Sequence, residues 1–375
     1  MFNPREPYND LPPITALDVV VSSGLAKLAE ETHVAIGVLN YAVKSLPDPQ
    51  ILLDTLIFQE ARASSYIENI ATTNDDLYRG VVFEDFTAEA KEVSQYKDAL
   101  CAGYANLLDN CLISMSDIEA INGYVNQRSP GIRTNLPNFN AMTRIAAYKP
   151  DGEAEILYTP PHGRDLLQML LIDMLDFIYE DDTYDLHPLI KIALAHYQFE
   201  SIHPFRDGNG RTGRILSILF LCQKGYLDVP ILYASSYITR NKKRYYELLH
   251  TARMTGNYEP IIEFMLLSFK ETAEQTLRIV ESIRALLAQY SNEKYLSALK
   301  GQLEPLQSTV NVIFKKVYVR VKDLVDLGIH RQTAAAYLDQ FVDQGLLSKT
   351  RVGRDNIYKN IKLLELFDYD SEGTE

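Results

Sequence analysis

Apolar residues recur at helical spacing along most of the chain. Leu53, Leu56 and Ile57, for example, share one helix face within residues 50–69. The segment 187–201 is apolar on nearly every side, which is typical of a helix buried at the centre of a domain. The pattern therefore predicts a mainly α-helical protein. Further helices are predicted over residues 91–110, 116–127, 163–180, about 211–224, 240–255 and 258–289.

Three stretches depart from the helical pattern. Residues 1–15 contain four prolines, which predicts an extended arm, and residues 129–140 are rich in loop-forming residues. Residues 154–158 favour a short strand, which Pro160 and Pro161 would end.

The segment 305–364 has a mixed pattern of short elements. We expect a strand or short helix, a helix from Val321 to Leu327, a turn at Gly328, a second helix from Thr333 to Gln344 and a hairpin around Gly353. This change of pattern suggests a separate C-terminal domain. The predicted parts are an N-terminal arm with helices (1–105), a helical core (106–290) and the C-terminal domain (291–375).

Composition narrows the class of protein. The 375 residues are 46% hydrophobic and 23% charged, which suits a globular protein of about two domains. A net charge of −13 argues against a protein coated in nucleic acid. No signal peptide or membrane span is evident, and Cys101, Cys111 and Cys222 form no CxxC pair. We therefore expect a cytoplasmic protein that has no membrane span, no zinc site and no disulfide framework.

The segment from His203 to Arg214 stands out chemically. It lies between two apolar helices, so it should form a loop leading into a helix N-terminus, where free backbone N–H groups can bind an anion. Gly208 and Gly210 allow close backbone approach. Arg211 and Arg214 share one face of the first turn, where positive charge is unfavourable unless an anion is bound.

Two further side chains in this segment complete a set suited to phosphate chemistry. Asp207 beside a phosphate site suggests Mg²⁺, which binds one or two carboxylates together with phosphate oxygens. His203 has an ordinary pKa near 6.5 and is a candidate general base. The spacing does not fit a P-loop, so the sequence predicts a different kind of site for a polyphosphate.

The segment resembles the Fic family signature His-x-Phe-x-(Asp/Glu)-Gly-Asn-Gly-Arg-x-x-Arg and matches it at every specified position. The resemblance implies an all-α Fic fold with a small β-hairpin flap, and transfer of AMP from ATP to a Ser, Thr or Tyr hydroxyl of a protein. It implies that His203 is the base, that Phe205 anchors the loop and that Asp207 holds Mg²⁺ or Mn²⁺. The nucleotide-binding residues it implies are Arg206, Asp207, Gly208, Asn209, Gly210, Arg211, Thr212, Arg214, Tyr245 and Arg253.

Other stretches extend this resemblance. Ile156, Leu157 and Tyr158 resemble the family's flap, a strand edge that aligns the target protein. The pair Tyr245-Tyr246 resembles tyrosines beside the adenine pocket, although two core aromatic residues would give the same pattern. Residues 7–13 resemble the opening of long bacterial Fic proteins.

Residues 64–69 resemble the family's inhibitory pattern (Ser/Thr)-x-x-x-Glu-(Gly/Asn). Ser64 and Glu68 are four residues apart and share a helix face, and Asn69 follows. We expect Glu68 to pair with Arg214 and so occupy the group that would hold the γ-phosphate.

Residues 305–364 resemble a winged helix-turn-helix, with a wing at 351–354. Their ten lysines and arginines against five aspartates give a net charge of +5 and leave −18 for the remainder. This asymmetry suits DNA binding, but a docking or dimer domain would also fit.

We therefore expect an autoinhibited protein adenylyltransferase that acts on a protein substrate, including itself, and that can form a homodimer. Two alternatives remain open. One is a DNA-binding regulator in which the Fic site senses a nucleotide. The other is a Fic enzyme with a different reaction, such as AMP removal or UMP or phosphate transfer.

Overall fold

The structure is a computed structural model that describes most of the chain. The described residues are 3–46, 50–83, 85–128, 131–133, 143–148, 154–180, 184–352 and 355–368, and the side chains of 50–54, 146–148, 154 and 368 are excluded. Most of the chain is helical, as the hydrophobic pattern predicts. No helix among these residues is long and apolar enough to cross a membrane.

The N-terminal part begins with a 3₁₀ turn and five helices. The turn is Ile14–Ala16, where Ile14 is buried, so the predicted arm is packed against the core near its end. Ser22 caps the first helix by accepting a hydrogen bond from the backbone N–H of Leu25 (3.1 Å). The helices are α1 (Ser23–Lys44), α2 (Gln50–Ile67), α3 (Asn74–Phe83), α4 (Ala88–Asn110) and α5 (Met115–Asn126).

The central part contains a β-hairpin followed by six helices, and one of these helices is buried. The elements are β1 (Ile145–Tyr148), β2 (Ala154–Tyr158), α6 (Arg164–Tyr179), α7 (Pro188–Ile202), α8 (Asn209–Gln223), α9 (Ser235–Arg240), α10 (Lys242–Thr255) and α11 (Glu259–Tyr290). Every residue of α7 after Pro188 is buried, which confirms the predicted central helix. It packs against α6, α8 and α11 and ends at the loop that carries His203.

The hairpin of β1 and β2 is antiparallel and contains a bulge. Ile145 lies opposite Tyr158 and Ala146 lies opposite Ile156, so Leu157 has no direct partner in the register. The strand over 154–158 is confirmed. Its partner β1 lies in a stretch where the sequence pattern indicated no strand.

The C-terminal part contains the short elements expected from its mixed pattern. They are α12 (Glu293–Leu296), α13 (Leu303–Lys315), β3 (Tyr318–Arg320), α14 (Val321–Val325), α15 (Arg331–Asp343), β4 (Leu347–Val352), β5 (Asp355–Asn360) and α16 (Ile361–Asp368). The strands form an antiparallel sheet in the order β3-β5-β4. This element order agrees with a winged helix-turn-helix, although Gly353 and Arg354 of the predicted wing lie outside the described residues.

The C-terminal sheet docks on α3, which follows the inhibitory segment. The Tyr318 ring stacks on Tyr78, with ring centroids 5.1 Å apart. Lys359 Nζ lies 2.6 Å from Asp75 Oδ1, which also accepts a hydrogen bond from the hydroxyl of Tyr318. Arg320 Nη1 donates to the backbone carbonyl oxygen of Val82 (3.0 Å). The N- and C-terminal parts are thus joined through α3.

Candidate active site

The loop after α7 holds His203 in a left-handed backbone conformation with φ of 48°. Arg133 fixes this turn, because its Nε donates to the carbonyl oxygen of His203 (2.7 Å). Its Nη2 donates to the carbonyl oxygens of Pro161 (2.8 Å) and Ile202 (3.1 Å). A non-glycine residue is strained in this conformation, so these contacts help to hold His203 in place. Sequence reasoning missed Arg133, because backbone acceptors leave no residue pattern.

Asn209 stabilises the loop from within. Its Oδ1 accepts a hydrogen bond from the Phe205 N–H (2.8 Å), and its Nδ2 donates to the Phe205 carbonyl oxygen (2.9 Å). Phe205 is buried, in agreement with its expected role as an anchor. The Asn209 side chain therefore holds the loop together, while the residue also lines the central cavity described below, so its part in nucleotide binding stays a prediction. Gly208 begins α8 with φ of 70°, a conformation that favours glycine.

Arg211 and Arg214 are buried and held by side chains from α2 and α4. Arg214 donates from Nη2 to Glu68 Oε1 (3.0 Å) and from Nε to Ser64 Oγ (2.7 Å). Arg211 donates from Nε to Glu68 Oε2 (2.8 Å) and from Nη1 to Glu92 Oε2 (3.3 Å). The expected contact between Glu68 and Arg214 is confirmed. The structure adds that Glu68 bridges both arginines and that Glu92, which sequence reasoning missed, holds the first.

The residue after Glu68 ends the inhibitory segment in a left-handed conformation. Asn69 has φ of 65°, which asparagine and glycine adopt more readily than other residues. Its Oδ1 accepts a hydrogen bond from Lys242 Nζ (2.8 Å). A Cβ at Gly210 would lie 2.7 Å from Glu68 Oε1, so a glycine at this position allows the carboxylate to approach α8.

These residues surround a central cavity of about 470 Å³. His203 lies at one side of it, and the Glu68–arginine cluster lies at another. Although His203 is partly exposed as a residue, burial of its imidazole lowers its pKa to about 3, and the positive charges of Arg133 and Arg253 lower it further. The imidazole is therefore neutral at physiological pH and able to accept a proton.

Asp207 is the carboxylate with access to this cavity from the loop. Its side chain is 60% exposed, its Oδ1 accepts the Gly208 N–H (2.7 Å), and Arg211 Nη2 lies 4.0 Å away. The amides of Asn122 and Asn126 donate to its backbone carbonyl oxygen. An exposed, oriented carboxylate beside arginines suited to phosphate is a donor set that fits Mg²⁺ or Mn²⁺.

The remaining predicted nucleotide-binding residues occupy different environments. Arg206 and Gly210 line the cavity, as do Tyr245 and Arg253. The Tyr245 hydroxyl lies 2.7 Å from His196 Nε2, and Arg253 Nε donates to Ser201 Oγ (3.1 Å). Thr212 instead turns away, because its buried hydroxyl accepts a hydrogen bond from Asn122 Nδ2 (3.1 Å). The side chain of Thr212 is therefore not brought to the cavity.

Glu200 is a buried carboxyl group in the cavity wall that sequence reasoning did not single out. Burial raises its pKa to about 7, against the opposing charge of Arg214. A Cβ at Gly213 would lie 2.7 Å from Glu200 Oε1, so the glycine allows this carboxyl group to approach α8.

The three flap residues have different environments. Leu157, the bulged residue of β2, lines the cavity, and so does Tyr158. Tyr158 is fully buried; its hydroxyl donates to the Ser201 carbonyl oxygen (2.7 Å), and the Arg253 guanidinium lies 4.2 Å from its ring centroid. Tyr158 therefore anchors the strand, whereas Ile156 is partly exposed.

Three stretches of the chain match models of known protein families. Residues 26–105 match the model described as "Fic/DOC family N-terminal", and 112–221 match the model described as "Fic/DOC family". Residues 306–363 match "Protein adenylyltransferase SoFic-like, C-terminal domain".

Curated relatives carry the same family name. "Protein adenylyltransferase fic-1" of Caenorhabditis elegans is 26% identical over 154 residues, which are 41% of this chain and 27% of that protein. "Protein adenylyltransferase Fic" of Nematostella vectensis is 35% identical over 121 residues, which are 32% of this chain and 26% of that protein. The chain thus spans about a quarter of the length of these relatives.

Solved structures agree in fold. A Fic family protein from Desulfovibrio desulfuricans is 20% identical with a TM-score of 0.57, and the match covers 91% of this chain and 97% of that one. Fic-1 from Caenorhabditis elegans is 19% identical with a TM-score of 0.52, covering 68% and 73%. The family models, the curated relatives and the all-helical Fic fold lead to one conclusion: this chain belongs to the Fic/DOC family.

Proposed function

We propose that the protein is an autoinhibited protein adenylyltransferase that transfers AMP from ATP to a Ser, Thr or Tyr hydroxyl of a protein, including itself. One observation carries the proposal. A neutral His203 and two arginines paired with Glu68 line the same cavity. A base together with an anion-binding cluster suits group transfer from a polyphosphate.

The residues support a single balanced step. The His203 imidazole accepts the proton of the target hydroxyl as the oxygen attacks the α-phosphorus of ATP. The bond between the α-phosphorus and the bridging oxygen breaks, and pyrophosphate leaves. Arg211 and Arg214 hold the outer phosphates, while Arg206 and the N-terminus of α8 add positive potential. Asp207 would hold Mg²⁺ or Mn²⁺, which when bound neutralises phosphate charge.

Inhibition follows from the groups that Glu68 occupies. Its two carboxylate oxygens accept hydrogen bonds from both arginines, at 2.8 and 3.0 Å. A carboxylate paired with guanidinium groups in this way is a strong interaction. The γ-phosphate of ATP would need the same donors. ATP can then bind only with its α-phosphate out of line, and a displacement of about 1 Å can cost on the order of 10²-fold in rate.

The target protein would align along the flap. Within the described residues, β2 pairs with β1 on one side, so its other edge can accept a peptide strand. The bulge at Leu157 directs that side chain into the cavity wall. A target segment bound at this edge would place its hydroxyl near His203.

For the C-terminal domain we favour a docking role over DNA binding. Four of the ten lysines and arginines in residues 305–364 pair with carboxylates: Lys316, Lys349, Lys359 and Lys362. Helix α15, which would enter the groove, has Arg331 at its start but carries Asp339 and Asp343. Duplex binding by the full chain that weakens steeply with salt would instead support the DNA reading.

Two further expectations belong to the same proposal. The three cysteines form no disulfide within the described residues, which suits a reducing cytoplasm. A homodimer stays a prediction, which sedimentation of the full chain would test.

The decisive experiment incubates the full chain with ATP labelled on the α-phosphate and, separately, on the γ-phosphate, with Mg²⁺ or with excess EDTA. Wild type and Glu68→Gly are compared, and the products are identified by mass spectrometry. We expect α-label on protein, more in Glu68→Gly, and none in EDTA. Label from the γ-phosphate would indicate phosphate transfer and contradict the proposal. Loss of AMP from pre-modified protein would indicate that the site also removes AMP.

A further inference from the structure

A second cavity, of about 230 Å³, lies between α2 and α9 and is called the α2–α9 cavity here. Arg62 and Tyr66 of α2 form one wall, and Ser236, Thr239 and Arg240 of α9 form another. Thr72, from the segment after the inhibitory residues, closes it. It is therefore built from the helix that ends just before Glu68, but not from the face that meets the arginines.

The polar side chains of this cavity suit an anion. Two guanidiniums and three aliphatic hydroxyls line it, and no carboxylate does among the residues described. The hydroxyls of Ser236 and Thr239 already donate to backbone carbonyl oxygens, so the donors available to a ligand come mainly from the arginines and Thr72. This is unusual in a chain with a net charge of −13. The planar guanidinium group of arginine presents pairs of N–H donors, which match the oxygens of phosphate groups in geometry and charge.

Two of these groups lack protein partners. Arg62 forms no hydrogen bond or ion pair within the part of the chain that the structure describes. Thr72 Oγ1 is buried without a hydrogen-bond partner. A buried hydroxyl left in this state typically costs about 1–3 kcal/mol. A ligand with several acceptor oxygens would satisfy both groups at once.

We propose that the α2–α9 cavity binds a phosphate dianion, either inorganic phosphate or the phosphate group of a small metabolite, and that this ligand stabilises the inhibited conformation.

The coupling to Glu68 follows from how α2 is attached. Residues advance by 100° along a helix, so Arg62 and Tyr66 lie roughly opposite Ser64 and Glu68. Ile70 lines both the α2–α9 cavity and the central cavity. A ligand bound in the α2–α9 cavity therefore contacts the same segment that positions Glu68 at the central cavity.

The contacts of Glu60 limit the effect of a ligand to the last turns of α2. Glu60 is buried and accepts hydrogen bonds from the Ser235 N–H (2.9 Å) and the Tyr96 hydroxyl (3.0 Å). Its contacts fix the middle of α2 to α9 and α4, so release of Glu68 would involve the last turns of α2. Those turns form the wall of the α2–α9 cavity. A ligand that fits this cavity binds the inhibited conformation better and shifts the equilibrium towards it.

Binding is tested without any activity measurement, by calorimetric titration of the full chain with inorganic phosphate. Arg62→Ala and Arg240→Ala should each weaken binding about tenfold or more, since hydrogen bonds to charged groups are the stronger class. Arg206→Ala, in the central cavity, and Arg278→Ala, on the exposed face of α11, are matched controls and should bind phosphate as wild type does. No binding at millimolar phosphate, or binding insensitive to Arg62→Ala, would overturn the proposal.

Crystals soaked in tungstate locate the ligand directly, because tungstate is a phosphate-sized dianion that scatters anomalously. A peak beside Arg62 and Arg240 is expected. A peak confined to the Arg211 and Arg214 cluster would mean that phosphate belongs to the central cavity, and the inference fails.

The regulatory part rests on the proposed function. Phosphate should lower AMP transfer by wild type several-fold, and Arg62→Ala should keep the basal rate but lose this response. By reciprocity, Glu68→Gly should bind phosphate more weakly. If phosphate binds at Arg62 but leaves transfer unchanged, the coupling is wrong. If no AMP transfer occurs at all, the proposed function fails while the calorimetric result stands.

Discussion

The two ends of the central cavity are prepared in opposite ways. At the His203 end, Arg133 fixes the backbone with three hydrogen bonds to carbonyl oxygens, and the imidazole is neutral. At the arginine end, the guanidiniums are fixed by Glu68, which is itself an anion. The first end is held by groups that leave its reactive atoms free, and the second by a group that takes the place of the substrate.

On the proposed function, this difference indicates where control would be exerted. The base would need no rearrangement before it acts, whereas the phosphate-binding end would first have to lose Glu68. We therefore expect that a single change at the arginine end can activate the protein and that a single change at the His203 end can only inactivate it.

The largest effect is expected from removal of the base. In a Glu68→Gly background, His203→Ala should lower AMP transfer by about 10²–10⁴-fold, because the imidazole is the group that we propose takes the hydroxyl proton. ATP binding, measured by calorimetry, should change little. His330→Ala, on the exposed surface of the C-terminal domain, is the control. Transfer within tenfold of the parent would remove His203 from this role.

The next effect concerns the blocked end. Glu68→Gly should raise transfer at saturating ATP on the order of 10²-fold, since both arginines become available to the outer phosphates. Glu92→Gln should raise it far less, because Glu92 contacts only Arg211, at 3.3 Å. Initial rates with α-labelled ATP measure both. Equal activation by the two variants would show that charge around the arginines, and not occupation by Glu68, controls the site.

A smaller effect should show whether Arg133 acts on His203 through its charge or only by holding the backbone in place. Burial is the main cause of the lowered pKa of His203, and the charges of Arg133 and Arg253 lower it further, so Arg133→Met should raise the imidazole pKa only part of the way from about 3 towards its ordinary value. In the Glu68→Gly background, transfer by Arg133→Met should then begin to fall at a higher pH than transfer by the parent when the pH is lowered below 6. Arg133→Lys keeps the charge and should retain the parent's pH profile even where kcat drops. Parallel profiles for all three proteins would leave Arg133 a merely structural residue.

The smallest effect concerns the end of α2. Asn69 has φ of 65°, so Asn69→Ala should lower the free energy of unfolding by about 1 kcal/mol, and Asn69→Gly should change it less. Urea denaturation midpoints report the difference. Equal losses in the two variants would show that the hydrogen bond from Lys242, which both variants lose, matters more than backbone conformation.

Much of this arrangement could be predicted from the sequence. The spacing of Ser64 and Glu68 places both on one helix face, and the structure brings both to Arg214. The buried helix α7 and the strand β2 were also evident from the pattern of apolar residues. The predicted division into three parts is not tested by these observations and stays a prediction.

Other features depend on contacts that local pattern does not record. Arg133 reaches carbonyl oxygens about 70 residues away, and any residue supplies such an acceptor. The side chains of Asn209 and Thr212 point to the loop and to Asn122, because successive residues at the start of α8 face different directions. Family resemblance indicated that the segment binds nucleotide, but it did not indicate which side chains stabilise the loop by hydrogen bonds.

The covalent continuity of α2 with the rest of the chain has a consequence for how the protein responds to its surroundings. Glu68 is a tethered competitor, so its effective concentration at the arginines is set by the fold and does not fall when the protein is diluted. A rise in cellular ATP would fill the cavity without displacing it fully. The activity of the protein would then depend on events that act on α2 and its neighbours. It would change little when the concentration of ATP changes.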